Sequence, residues 1–306
     1  MQNETILSAK NKRGSVASAL AVAVFLIGGE LLAVGRESVS DAYSSGLALI
    51  VSLLFVGAAG AAAHSVFSRR SEHTSILQGA TVWLFGILAA AAAVFVAIES
   101  ILEFSDFAAD VMLLRAPKYL VALTFLAFCA FLASKGGKTV TKYALLSAVL
   151  IAIETVALIL LSLPAIDPSL VEIESGAPSV KATAGAFVKK FAPLCIPIVY
   201  LSCEDGRLRS KALSLSPLAA ILGIITGGAI LTLCHFNVTL LLGSALARTL
   251  TFPYSAAMSA ISTGKLFMRM EGISYVLYFL AASTRASVAI GTVITLSKRL
   301  LKVKKN

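Results

Sequence analysis

The chain has 306 residues and a formal net charge of +10, yet 58% of its residues are hydrophobic, 14% are charged, and the mean hydropathy is +0.89. A soluble core of this size cannot bury so much apolar surface, so composition excludes a soluble globular domain and points to an integral membrane protein. The basic excess then reports orientation rather than a nucleic-acid partner, because Lys and Arg stay on the cytoplasmic side of short loops.

Residues 1–14 carry Lys10, Lys12 and Arg13 and read as a cytoplasmic N-terminal segment. The apolar run from Val16 to Gly35 reaches the ~20 residues that a spanning helix needs. It has no clean small-residue cleavage site, so it reads as a first span rather than a signal peptide. Within it, VFLIGGELLAVG places Gly28 and Gly29 before Glu30. The two glycines either weaken the helix and free backbone groups to line a site, or let another helix pack closely.

Further apolar runs extend from Gly46 to Phe67, Val82 to Leu102, Pro117 to Ser134 and Tyr143 to Leu163. They are continuous rather than alternating, which predicts helices and not barrel strands. Glu99 and Glu103, near the outer end of the third run, read as solvated. Glu154 stands at membrane depth in the fifth, where an ionisable group calls for a partner or a wet cavity.

The sixth run, Ala182 to Cys203, is interrupted. Lys189 and Lys190 divide it, and Pro193 and Pro197, on either side of Cys195, each remove a backbone donor. A discontinuous helix fits, with the lysines snorkelling or facing a cavity, and a proline kink alone is the plainer account. The seventh and eighth runs extend from Leu215 to Phe236 and from Ile273 to Leu296. Arg285 lies about twelve residues into the last one, where a guanidinium needs a buried carboxylate or a water-filled cavity. The expected carboxylate is Glu154, with Glu30 second.

Between the last two runs, residues 244–271 contain Pro253 and a small, half-polar stretch, YSAAMSAISTG. A ninth crossing there would move the basic tail, SKRLLKVKK, to the outside and erase the charge asymmetry. The segment is therefore expected to bend or lie on the outer side, with protein or water satisfying its backbone. Eight spans with both termini inside place more than half of the 26 basic residues on the cytoplasmic face.

The sequence contains no HExxH, GxSxG, P-loop or strand-framed GxGxxG, so no enzymatic activity is expected. Cys129, Cys195, Cys203 and Cys234 show neither disulfide nor metal spacing, and His64, His73 and His235 fall in separate loops or span ends. Neither a metal nor a cofactor is expected.

The stretch TFPYSAAMSAISTGKLFMRMEGISYVLYFL resembles the endospore germination permeases, with a Pro-centred outer segment and an R-x-E pair, Arg269 and Glu271, entering a helix. GGKTVTK, from Gly136 to Lys142, is similar to that family's G-x5-R loop with lysine in place of arginine. DFAADVMLLRAPKYLV resembles the outer segment that ends in the proline opening helix four, here Pro117. LIGGELLAVG is similar to the Gly-rich break of helix one, with Gly35 in place of the closing proline. Two departures stand out. Pro197 occupies the place where helix six of the family commonly carries an acid, and family members commonly continue for two more helices after the eighth.

The resemblance implies an all-α polytopic membrane protein of about eight transmembrane helices, a five-plus-three remnant of the five-plus-five inverted-repeat permease fold. It would form one domain over residues 1–306. The first repeat would occupy residues 16–164, an incomplete second repeat 182–296, and a basic cytoplasmic tail 297–306. In that fold helices one, five and eight lie close together, which makes a pair between Arg285 and Glu154 or Glu30 geometrically reasonable.

The function implied is the membrane subunit of a nutrient germinant receptor in the cytoplasmic membrane or spore inner membrane. It would sense a small nutrient such as an amino acid alongside other receptor subunits and the lipid bilayer, with no nucleic-acid partner. A secondary amino-acid transporter and a non-binding scaffold are the alternatives. The expected ligand site comprises Gly28, Gly29, Glu30, Pro193, Cys195 and Pro197, on the two broken helices.

Overall fold

The computed structural model describes residues 2–34, 76–113, 116–165, 193–202, 217–261 and 271–303, and every element among them is helical. Helix α1 covers Gln2–Glu30 and tightens into a 3-10 turn at Leu31–Ala33. Helix α2, Ile76–Phe107, widens into a π turn at Ala108–Met112. Helices α3, Lys118–Ser134, and α4, Gly137–Ser162, follow. Then come α5, Pro193–Ser202, and α6, Pro217–Leu242. Two short helices, α7 at Ser244–Thr249 and α8 at Pro253–Ala260, precede the long final helix α9, Glu271–Val303.

Among the described residues, five stretches are long and apolar enough to cross a membrane: Gly14–Ala33, Trp83–Met112, Gly137–Ser162, Leu218–Leu242 and Gly272–Lys298. The chain is an all-α polytopic membrane protein. The expected second span, 46–67, and the lysine-bearing part of the sixth, 182–192, lie outside the described residues. The described part of the sixth is helical through Pro197 without interruption.

Residues 244–261 do not form a spanning helix. Gly243, at φ 77°, turns the chain out of α6 in a conformation that glycine adopts without steric cost. The six residues of α7 and eight of α8 are each far too short to cross. Pro253 opens α8, where its missing N–H costs nothing. Pro253, Tyr254, Ser255, Ala257 and Met258 are buried, so protein rather than lipid surrounds this segment, as the sequence led one to expect. Residues 262–270 lie outside the described residues.

Two helices form the centre, and the sequence shows why. Every residue from Ala21 to Gly28 on α1 is buried, and so is every residue from Ala281 to Ala289 on α9. The second stretch reads AASTRASVA. Small side chains let neighbouring backbones approach closely, which drives association in a solvent as apolar as the helices themselves. The buried hydroxyls are satisfied locally or across helices. Thr284 donates to the Leu280 carbonyl at 2.8 Å, Ser287 to the Cys129 carbonyl of α3 at 3.2 Å, and Ser283 pairs with the Tyr143 hydroxyl of α4 at 2.8 Å.

The closest approaches occur at glycines. Gly28 lies against the Ala281 carbonyl of α9, and Gly223 of α6 against the Ala19 carbonyl of α1. One turn on, a Cβ at Gly227 would come within 3.0 Å of the Ala23 carbonyl oxygen, so Gly223 and Gly227 form a G-x-x-x-G face against α1. A backbone carbonyl cannot move aside as a side chain can. Gly223→Val is expected to force α6 off α1 at a cost of about 1–3 kcal/mol, the usual range for overpacking. The thermal midpoint of detergent-purified protein measures this, and an unchanged midpoint would show that the contact is not tight.

Candidate functional site

Arg285 sits near the middle of α9 with 6% of its surface exposed. Its Nη2 donates to Glu99 Oε2 of α2 at 2.8 Å, and its guanidinium lies 5.8 Å from the centroid of the Phe25 ring on α1. A Cβ at Gly29 would fall directly on the guanidinium, so the bare backbone of that residue provides the space in which the charge rests. Arg285 Nε is buried without a hydrogen-bond partner among the described residues. Three helices thus build one niche: α1 supplies a ring and a gap, α2 an anion, and α9 the cation.

This corrects the expected pairing. The ion pair of Arg285 is made with Glu99 and not with Glu154, because Arg285 faces α2 and the glycine face of α1, whereas Glu154 turns toward α6, α8 and α9. Glu99, expected to be a solvated residue, is half-exposed and still reaches the buried cation. Charge in the membrane interior persists only with such compensation.

The glycine pair also takes the second of its two possible roles. The α-helix continues through Gly28 and Gly29 and changes form at Glu30, whose φ of −121° and ψ of −17° precede the 3-10 turn. The pair is a close-packing surface, and the departure from α-helix comes directly after it. Helix α8 packs against the resulting turn, Leu31–Ala33. Of the expected site residues on the sixth run, Pro193 and Cys195 are half-buried and Pro197 is buried. Helix α5 meets α9 further along, with the Tyr200 ring 2.7 Å from where a Gly291 Cβ would stand and Val199 packed with Leu296. Gly291 and Leu296 lie about 9–16 Å along α9 from Arg285 at 1.5 Å per residue.

Glu154 occupies a second polar niche. It is 5% exposed, and its Oε1 has no hydrogen-bond partner among the described residues. Facing it are Ser274 of α9, Cys234 of α6 and Tyr254 of α8. The Ser274 hydroxyl, also buried, lies between Glu154 and Tyr254. Helix α8 connects the Glu154 niche to the end of α1: Tyr254 of α8 faces Glu154, while the same helix rests on the turn after Glu30.

Sequence reasoning missed the role of α8. The signal was present in Pro253 followed by a short apolar stretch, but the turn on which that stretch packs, Leu31–Ala33, lies far away in the chain. No group of three or more His, Cys, Asp or Glu that could hold a metal ion occurs among the described residues. Cys129, Cys195 and Cys234 are free thiols.

No curated protein matches the chain. A family model described as spore germination protein, the spore permease family, matches residues 17–306, nearly the whole length. With its membrane-spanning helices and two buried polar niches, this chain belongs to the spore germination permease family.

Proposed function

We propose that the chain is a ligand-sensing membrane subunit of a germinant receptor, responding to a small zwitterionic nutrient such as an amino acid. The ligand would bind where α1 departs from α-helix, beside Gly28, Gly29 and Glu30, with Pro193, Cys195 and Pro197 of α5 on its other side. Freed backbone amides would receive its carboxylate, and Glu30 or exposed carbonyls its ammonium group. The observation that carries this reading is the departure from α-helix at the half-buried Glu30, within the candidate span Gly14–Ala33 and covered by a separate short helix. Irregular backbone at that depth is found where it lines a site rather than where it faces lipid.

A sensing role requires the ligand to bind one arrangement of the bundle more tightly than another. Helix α8 is suited to report that difference, since it is short, buried and packed on the turn itself. Other receptor subunits in the same membrane would read the change. The test is to measure binding and uptake separately in purified, reconstituted protein. Saturable binding of an amino acid without accumulation against a gradient is expected. Accumulation would establish a transporter instead, and absence of binding would leave a scaffold.

A further inference from the structure

The Glu154 niche lies apart from the proposed ligand site and follows a different logic. A carboxylate buried in a membrane protein needs a cation, or it must lose its charge. The titratable groups facing it are the Cys234 thiol of α6 and the Tyr254 hydroxyl of α8; α9 presents Ser274, and the adjacent Thr155 hydroxyl is committed to the Ile151 carbonyl at 2.8 Å. All of these are neutral groups. Glu154 Oε1 has no hydrogen-bond partner among the described residues, and the Ser274 hydroxyl faces the carboxyl from α9. The Ser274 hydroxyl can donate to an ionised carboxylate or accept from a protonated one, so it leaves the charge undecided; what favours the proton is that no cation faces this buried carboxyl among the described residues. A hard metal ion such as Ca2+ or Mg2+ would need about six oxygen ligands, more than this niche offers.

We infer that Glu154 is a proton-binding site, holding its proton while α8 is packed against α6 and α9 with Tyr254 over the carboxyl, and releasing it when α8 moves away and water enters. The proton moves from the carboxyl to solvent, leaving a hydrated carboxylate. Because the packed arrangement holds one proton more than the opened one, rising pH favours opening, by up to roughly tenfold per pH unit between the titration point of the hydrated carboxyl and that of the packed one, and no further above both. The proton would thereby act as a second ligand on the helix that covers the turn after α1.

Infrared difference spectra of the full chain in nanodiscs, wild type against Glu154→Gln, test the first half. A carboxylic-acid C=O band is expected at neutral pH in the wild type alone, disappearing as pH rises. An ionised Glu154 at neutral pH overturns the proposal, as does loss of the acid band on adding Na+ or K+ at constant pH, which would identify a metal-cation site. Glutamine keeps the shape and neutrality of the protonated acid, so the variant should fold. Hydrogen exchange at residues 253–260 tests the second half. The wild type should open more with rising pH than Glu154→Gln by the factor given above, and identical pH profiles in the two proteins would overturn the coupling.

Discussion

Gly29→Ala should lower the stability of the purified protein by about 3 kcal/mol, as expected when a buried ion pair is broken. Even one methyl group at this position occupies the space held by the Arg285 guanidinium, which would have to leave Glu99 and the Phe25 ring. Gly29→Leu should be worse and should also abolish the nutrient response, because its side chain projects beside the turn that begins at Glu30. The cause can be isolated by a second change. In an Arg285→Met background the obstruction loses its target, so Gly29→Ala should cost much less there, with a coupling of about 1–3 kcal/mol. Equal costs in both backgrounds would show that Arg285 is not what makes glycine necessary.

The ion pair itself should respond asymmetrically. Arg285 is buried, whereas the Glu99 side chain is 47% exposed. Removing the anion in Glu99→Ala strands a cation in the bundle, at a cost of about 3 kcal/mol or more. Removing the cation in Arg285→Met leaves a carboxylate that can reach water and puts an apolar, flexible side chain into an apolar region, so the loss should be less than half as large. Thermal unfolding of the two variants in one detergent decides the matter. Arg285→Met proving the more damaging of the two would mean that the guanidinium has a structural role beyond its pairing with Glu99.

The membrane class and the approximate extents of α2, α3, α4, α6 and α9 were legible because length and continuous apolarity dictate them directly. The bend after α6 was legible for a similar reason, since Pro253 and basic residues near the end of the chain both argue against a crossing. The partner of Arg285 was not. Whether Glu99 or Glu154 faces that residue depends on helix rotation and axial stagger, and a shift of one residue turns a helix by about 100°. The apolar run ending at Leu102 made Glu99 look terminal, but α2 continues to Phe107. The dual character of Gly28 and Gly29 was likewise undecidable from composition, because the same pair serves a helix break or a close contact. The Ala281 carbonyl and Arg285 decide it.

Arg285 also bears on how the protein is made. The stretch Gly272–Lys298 is the least apolar of the five candidate spans among the described residues and the most enclosed by protein. A mid-helix arginine adds about 2.5–3.5 kcal/mol to the cost of partitioning into lipid. This helix emerges from the ribosome after the residues that accommodate it, Gly29 on α1 and Glu99 on α2, have already been synthesised. Its stable insertion is therefore a cooperative event, in which the earlier helices act as a template that receives the charge. The order of the chain, with glycine and glutamate first and arginine last, is the order that such assembly requires.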